Sequence, residues 1–241
     1  MKCRNCETEL NGNYCHACGQ SANIRQINLL FVLHQLRDGI FQVDRGFFYT
    51  AKELFLRPAL TLDNYLTGKR IRYFKPVSYV MILGTVFALL NHWLQLDDIS
   101  DTKLVTDSIK TAYADAQEWI NTRYTLFSFL LIPFFALSFY LFFRKEKYNF
   151  FEHLVINTYL IGQQFLIHII LIPVIWIGGV IAGFNLVGLF MFIYTVWVYQ
   201  QLFSNKSLVI RLIKSVCAYI IGFLMVTVFL VLIYIIFRNL S

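Results

Sequence analysis

Four cysteines near the amino terminus have the spacing of a metal site. They form two Cys-x-x-Cys pairs separated by eight residues, Cys3 with Cys6 and Cys15 with Cys18. Two thiolates of a tight turn can converge on one metal ion, and two such turns joined by a hairpin make a closed tetrahedral site, the geometry of structural zinc. Asn11-Gly12-Asn13 can reverse the chain between the pairs, and Gly19 permits a positive φ after the second pair. We therefore expect residues 1–23 to be a zinc ribbon that holds one structural Zn²⁺.

Two disulfides, an iron site and a redox dithiol are the alternatives. A reducing cytosol, in which the charge pattern described below places this segment, disfavours disulfides. A redox Cys-x-x-Cys is expected at the start of a helix in a βαβ unit, and the sequence has no such context. His16 lies between two of the cysteines and could replace one ligand. A site closed by four protein ligands cannot activate water, so the metal is expected to be structural.

The elements that must carry this module are membrane helices. The chain of 241 residues is 58% hydrophobic and only 15% charged, and the apolar residues are concentrated after Pro76. A hydrocarbon core about 30 Å thick needs about 20 helical residues. Five blocks without Asp, Glu, Lys or Arg meet this length: 77–96, 124–143, 154–177, 184–203 and 216–237. We expect an all-α integral membrane protein with a five-helix bundle over residues 77–241.

The distribution of Lys and Arg predicts the orientation of this bundle. Of the 21 basic residues, 17 lie on the N-terminal side: 11 in residues 1–76, three in 144–153 and three in 204–215. The other side holds four. Because cytoplasmic loops carry the excess of Lys and Arg, the N-terminus is expected in the cytosol and the C-terminus outside. The outer loop has a helical apolar spacing over residues 101–121, which predicts an amphipathic capping helix, with a solvated loop as the alternative.

Residues 24–76 predict three amphipathic helices at the membrane surface. The first includes Ile27 and Phe31, and the second includes Phe47 and ends before Pro58, since the residue before a proline is pushed out of the helical region. The third runs from Pro58 to Thr67, with Gly68 at its C′ position. Apolar faces beside Lys and Arg are typical of interfacial helices.

Four cations lie immediately before the first predicted span: Lys69, Arg70, Arg72 and Lys75. One interpretation is a positive-inside anchor. The other is a site for anionic lipid head groups or phosphate, which juxtamembrane cations attract by about 1 kcal/mol each. The sequence leaves both open.

The third predicted span carries a polar face. His153, Asn157, Gln164 and His168 are spaced so that they share one side of a helix, with Gln163 alongside. Polar groups in hydrocarbon need partners, so this face is expected to point into the bundle. It either forms hydrogen bonds between helices or lines a path for a proton or solute.

The N-terminal third resembles a known family. The residues that carry the resemblance are the four cysteines, Arg45-Gly46-Phe47, Thr50, Arg57-Pro58, Tyr65, Gly68-Lys69-Arg70, Tyr73 and Pro76. They are similar to those of uncharacterised bacterial inner-membrane proteins, common in Bacteroidetes-type genomes, that join an N-terminal zinc ribbon to a multi-spanning helical domain. The resemblance covers residues 1–85 and implies a location in the bacterial inner membrane. It implies no activity, because the family has none established.

No nucleophile elbow, phosphate loop, His-Glu-x-x-His helix or pair of carboxylates is found in the sequence, which argues against an enzyme. The mixed charges around the cysteines predict no nucleic-acid binding. We expect an adaptor or scaffold that is anchored in the lipid bilayer and presents the zinc ribbon to a protein partner at the cytosolic face. One alternative is a channel or transporter of a lipid or small solute along the polar face of the third span. Another is an enzyme that acts on lipid-linked substrates and holds their phosphate with the cations Arg70, Arg72 and Lys75. The oligomeric state does not follow from the sequence.

Overall fold

The computed structural model describes residues 1–24, 26–38, 46–94, 124–178, 180–204 and 207–240. Eight helices occur in these ranges: α1 Leu29–Asp38, α2 Phe47–Leu56, α3 Pro58–Leu66, α4 Pro76–Trp93, α5 Tyr124–Phe143, α6 Phe150–Gly178, α7 Val180–Leu202 and α8 Leu208–Leu240. The described chain contains no strand beyond two isolated bridges near the N-terminus. The amphipathic helix expected over 101–121 lies outside the described residues.

Three helices are long and apolar enough to cross a membrane, within Pro76–Trp93, Phe150–Pro173 and Leu208–Leu232. Two further apolar stretches, Ser128–Phe143 and Val187–Leu202, are shorter. These findings agree with an all-helical membrane protein, while the count of five spans stays a prediction.

Helix α6 forms the centre of the bundle. It packs against α4, α5 and α7, whereas α8 packs against α5 and α7. In the apolar window of α6 72% of the residues are buried, compared with 44% in α4 and 22% in α8. Most of α8 therefore faces outward, and α6 is the helix on which a site inside the bundle would depend. Large aromatic side chains fill this centre, including Tyr79, Phe139, Tyr159, Phe165 and Tyr199.

Basic connections gather at one end of the bundle. Lys147, in the connection between α5 and α6, forms an ion pair with Asp63 of α3. Glu146 in the same connection lies 3.5 Å from Lys214 near the start of α8. The N-terminal segment therefore lies at the same end as both basic connections that the sequence assigned to its side.

The boundary between α2 and α3 forms where the sequence predicts it. Helix α2 ends at Leu56, Arg57 leaves the helical region with φ −143° and ψ 58°, and Pro58 begins α3. Proline has no backbone N–H, so the carbonyl of Leu54 loses its partner four residues on. The hydroxyl of Tyr194 in α7 donates to that carbonyl instead, at 2.7 Å.

Helix α3 ends in a Schellman motif. The backbone N–H of Lys69 donates to the carbonyl of Asn64 at 2.8 Å, and that of Gly68 to the carbonyl of Tyr65 at 3.2 Å. Gly68 has a φ of 107°, a conformation that favours glycine. The predicted position of Gly68 just after the helix is confirmed. Residues 67–75, which follow α3, are called the basic loop below.

Candidate metal centre and its anchor

Two tight turns of the same geometry hold the four cysteines. In the first, the N–H of Cys3 donates to Thr8 at 2.9 Å and its carbonyl accepts from Glu7 at 2.9 Å. Twelve residues later the pattern recurs, with Cys15 donating to Gln20 and accepting from Gly19, both at 2.8 Å. The backbone thus repeats one metal knuckle twice, and each is closed by an antiparallel bridge, Lys2 with Glu9 and Tyr14 with Ser21.

The residue after the second cysteine of each knuckle has a positive φ. Gly19 takes 77°, as its position predicts, but the matching residue of the first knuckle is Glu7, at 62°. A left-handed conformation costs a non-glycine residue roughly 1–2 kcal/mol. The first knuckle therefore stores backbone strain that the second avoids.

The four sulfur atoms converge as the sequence predicts. The Sγ atom of Cys18 lies 3.7 Å from that of Cys3 and 3.6 Å from that of Cys6, and the Sγ atoms of Cys6 and Cys15 are 3.5 Å apart. A tetrahedral ion with metal–sulfur bonds of about 2.3 Å gives sulfur–sulfur distances of about 3.8 Å. A disulfide would require about 2.05 Å, and all four thiols are free. The cluster fits one metal ion, and the exposed His16 is not part of it.

The thiols differ in acidity. Hydrogen bonds with the side chain and backbone of Thr8 lower the pKa of Cys6 to about 6. A backbone hydrogen bond with Cys18 lowers the pKa of Cys15, but burial and the neighbouring thiols outweigh it and raise that pKa to about 11. Metal ligation requires thiolates, so a bound cation would favour the deprotonated form at every position.

Gln20 fastens the second knuckle to the basic loop. Its Nε2 atom donates to the carbonyl of Gly68 at 3.0 Å. Its Oε1 atom accepts from the N–H groups of Arg70 at 3.1 Å and Ile71 at 3.3 Å. Gln20 is only 4% exposed, so these bonds are shielded from water. The sequence analysis did not identify Gln20. The available signal was the repeat of the two knuckles every twelve residues, which makes Gln20 the counterpart of Thr8.

The first knuckle approaches the loop differently, through the stem of Arg4, which lies beside Gly68. Its equivalent of Gln20 is Thr8, which contacts the thiol of Cys6 at 3.3 Å. Cys6, Glu7 and Glu9 are all exposed. The ribbon is therefore fastened to the loop by Gln20, while the part of the first knuckle that contains Cys6, Glu7 and Glu9 is open to solvent.

Arg70 joins α1 to α3 instead of facing solvent with its neighbours. Its guanidinium carbon lies 4.6 Å from the ring centre of Phe31 and 5.3 Å from that of Tyr65, and its Nε atom donates to the carbonyl of Tyr65 at 3.1 Å. Burial lowers the pKa of Arg70 from its usual value. Lys69 and Arg72 are exposed and Lys75 is half-buried. The four predicted anion-site residues thus lie in different environments.

Phe74 links the basic loop to the bundle through its backbone. Its N–H donates to the hydroxyl of Thr50 in α2 at 2.7 Å, and its carbonyl accepts from the hydroxyl of Tyr159 in α6 at 2.5 Å. A Cβ atom on Gly46 would lie 2.8 Å from the carbonyl oxygen of Arg72, so only glycine fits where α2 meets the loop. Both backbone groups of Phe74 are satisfied by side chains of other helices.

The polar face of α6 makes packing contacts. Asn157 donates to the hydroxyl of Tyr199 at 3.1 Å and to the backbone carbonyl of His153 at 2.8 Å. His168 lies 3.0 Å from the carbonyl of Gln164, and its ring stands 5.2 Å from that of Phe87. The face points into the protein, as predicted.

Gln163 has a larger role than the sequence indicated. Its Oε1 atom accepts from the hydroxyl of Tyr79 in α4 at 2.7 Å, and its Nε2 atom lies 3.5 Å from the carbonyl of Ala51 in α2. It thereby joins three helices. Tyr159 and Tyr194 donate their hydroxyls to backbone carbonyls of other segments. The sequence did not predict these hydrogen bonds, because an isolated tyrosine in an apolar run does not indicate a hydrogen-bond partner.

Part of the chain matches a protein-family model. Residues 44–88 match a family described as "Protein of unknown function (DUF3667)". The match covers α2, α3, the basic loop and most of α4, and it contains the resemblance residues from Arg45 to Pro76. No curated protein and no solved structure matches the chain. The segment that fastens the ribbon to the bundle is thus similar to DUF3667, a family of unknown function.

Proposed function

We propose that this protein is a membrane-anchored adaptor or scaffold whose zinc ribbon captures a protein partner at the cytosolic face of the inner membrane. The observation that carries this proposal is that Gln20 fastens one side of the ribbon to the basic loop and leaves the other side exposed for a partner. A module held in a fixed orientation with an open face loses less conformational freedom on binding than a loose tail.

Zinc is the ion that we assign to the cluster. Four thiolates in a tetrahedral arrangement favour zinc or iron, and a closed site of this kind in a short module is typical of structural zinc. The ribbon buries few apolar side chains, since Cys3 and Cys15 are the only buried hydrophobic residues within 1–23. Metal binding would therefore supply most of its folding free energy.

The proposed topology has five spans, with the N-terminus in the cytosol and the C-terminus outside. It is supported by the ion pairs that bring the N-terminal segment and two basic connections to one end of the bundle. Consecutive spans alternate in direction, so every second connection returns to the N-terminal side, and an odd number of spans places the two termini on opposite sides. Positive charge at that end agrees with a cytosolic location.

Transport along the polar face of α6 has weaker support. The polar atoms of Asn157 and Gln163 engage Tyr199 and Tyr79 of neighbouring helices. Side chains that are hydrogen-bonded between helices in this way stabilise helix packing and are poorly placed to bind and release a transported solute.

Metal analysis of the purified full-length chain tests the cofactor. We expect one zinc per chain, lost in the Cys3→Ser/Cys6→Ser variant and retained in Cys217→Ser, since Cys217 lies outside the cluster. Iron, or a wild-type protein without bound metal after purification under reducing conditions, would contradict the zinc assignment.

Co-purification from native membranes tests the adaptor role. We compare wild type, Cys3→Ser/Cys6→Ser and the matched control Cys217→Ser by mass spectrometry. A partner retained by wild type and control, but lost from the ribbon variant at equal membrane abundance, supports the proposal. If all three proteins retain the same set, the ribbon acts as a structural brace and the adaptor role is wrong.

A further inference from the structure

Helix α4 begins inside the bundle. Helices α4 and α6 run in the same direction, because Tyr79 contacts Gly162 while Phe87, further along α4, contacts Phe165. A Cβ atom on Gly162 would lie 3.4 Å from the Cα atom of Val80, so these two residues lie at the same height along the bundle axis. Counting back along both helices places Pro76, the first residue of α4, level with about residue 158 of α6.

The end of α5 marks a shallower level. Phe143, its last residue, stacks on Phe203 at 4.6 Å, and His153 of α6 stacks on the same ring at 6.2 Å. The first exposed cations after α5 are Arg144 and Lys145, so this level approximates the membrane boundary. Helix α4 therefore starts about five residues, or about 7 Å at 1.5 Å per residue, beyond that boundary.

Helix α2 occupies the space that the late start of α4 leaves. The ring of Phe47 lies 5.4 Å from that of Tyr79 in α4. At the other end of α2, the carbonyl of Leu54 accepts from Tyr194 in α7, which is eight residues before the end of that helix. Helix α2 thus crosses from α4 to α7 at a depth within the bundle.

Helix α3 then leads the chain back. It starts at Pro58 and places Asp63 against Lys147 and Tyr148, which belong to the connection between α5 and α6. Helix α2 therefore runs across the bundle at this depth, the chain turns at Arg57, and α3 returns toward the level of the connection between α5 and α6. Broken backbone at membrane depth is tolerated where protein groups satisfy it, and the hydrogen bond from Tyr194 to Leu54 does so at the turn.

The outer face of this helix pair is apolar with a basic edge. Phe48 is 82% exposed, Leu56 60% and Leu60 51%. Lys52 lies between Phe48 and Leu56 on one stripe of α2, four residues from each, and Arg57 follows at the turn; both cations are exposed. Side chains of this kind place aliphatic stems in hydrocarbon and their charges at head groups.

We propose that α2 and α3 form a re-entrant helix pair whose Phe48–Lys52–Leu56 face contacts the acyl chains of the leaflet on the N-terminal side, with Lys52 and Arg57 binding anionic phospholipid head groups. Charge complementarity and the depth of α2 select lipid as the occupant. The inference requires the bundle to lie in a bilayer, but it does not depend on the adaptor role of the ribbon.

Fluorescence quenching measures the depth of the helix pair. A fluorescent amino acid replaces Leu56 in one full-length protein and exposed Lys145 in a control, both in phosphatidylglycerol vesicles. We expect nitroxide on lipid acyl chains to quench the probe at 56 and aqueous iodide to quench the probe at 145. Iodide quenching at both positions would overturn the proposal, and so would protection of position 56 from both quenchers, because a protein surface would then cover it.

Lipid retention tests the head-group contact. Native mass spectrometry compares Lys52→Ala/Arg57→Ala with the charge-matched control Lys2→Ala/Arg4→Ala, which removes two exposed cations of the ribbon. We expect phosphatidylglycerol retention to fall about thirtyfold in the first variant only, with phosphatidylcholine retention unchanged in both. Equal losses in the two variants would overturn the head-group assignment.

Discussion

The hydroxyl of Tyr194 donates to the carbonyl of Leu54 at 2.7 Å and replaces the hydrogen bond that Pro58 cannot make. The two residues lie on different helices, 140 positions apart in the chain. Leu54 is completely buried and Tyr194 nearly so. The proline break that separates α2 from α3 is therefore stabilised by a side chain from the far half of the protein.

Removing that hydroxyl is expected to destabilise the protein. Tyr194→Phe leaves the carbonyl of Leu54 buried without a donor, at a cost of about 1–3 kcal/mol. Reversible unfolding in detergent measures the loss. The double variant with Pro58→Ala supplies a backbone N–H four residues after Leu54, so Tyr194→Phe should cost less in that background. An equal cost in both backgrounds would show that the hydroxyl does not substitute for the proline.

Gly162 is expected to tolerate no side chain. A Cβ atom there would stand 2.6 Å from the ring of Tyr79 and 3.4 Å from the backbone of Val80. Overpacking of a fixed ring costs about 1–3 kcal/mol, and Tyr79 cannot withdraw without losing its bond to Gln163. Thermal unfolding compares Gly162→Ala with Gly188→Ala, a control position where the added Cβ meets nothing within 4 Å. Equal stability of the two variants would contradict this packing.

Features set by neighbouring residues could be predicted from the sequence. The cysteine spacing indicated the knuckles, Pro58 the helix break and Gly68 the Schellman turn, because each depends on local backbone geometry. The packing of α2 against α4 and α7 could not be predicted, since an amphipathic helix has the same pattern on a membrane surface and against a bundle. The role of Gln20 likewise depends on a loop 48 residues away.

Asp63 should make stability depend on pH. Burial alone would raise its pKa, but hydrogen bonds with Lys147 and Tyr148 outweigh burial and lower that pKa below 3.8. A lowered pKa means that the contribution is present above the unfolded pKa and is lost as pH falls through the folded value. Asp63→Asn should therefore lower the free energy of unfolding by about 1 kcal/mol at neutral pH. This difference from wild type should shrink when the pH falls below the usual pKa of a carboxyl group, because Asp63 then becomes protonated in the folded protein.

Unfolding of both proteins across this pH range checks the sign. Lys147→Met should show a smaller loss, because the hydroxyl of Tyr148 still donates to Asp63 at 2.7 Å. Lys145→Met, at an exposed position two residues earlier, serves as the control. A difference between Asp63→Asn and wild type that grows in acid would contradict the assignment.

Gln20→Ala is expected to detach the ribbon without emptying its metal site. The side chain makes three hydrogen bonds to the basic loop, whereas the knuckle itself uses the backbone carbonyl of Gln20, which alanine retains. Zinc content should be unchanged, while amide hydrogen exchange at Arg70 and Ile71 should become faster because both lose their acceptor. Gln26→Ala removes an exposed amide six residues on and should alter neither property. Loss of zinc with Gln20→Ala would show that the loop completes the metal site, and unchanged exchange at both amides would show that Gln20 does not anchor the ribbon.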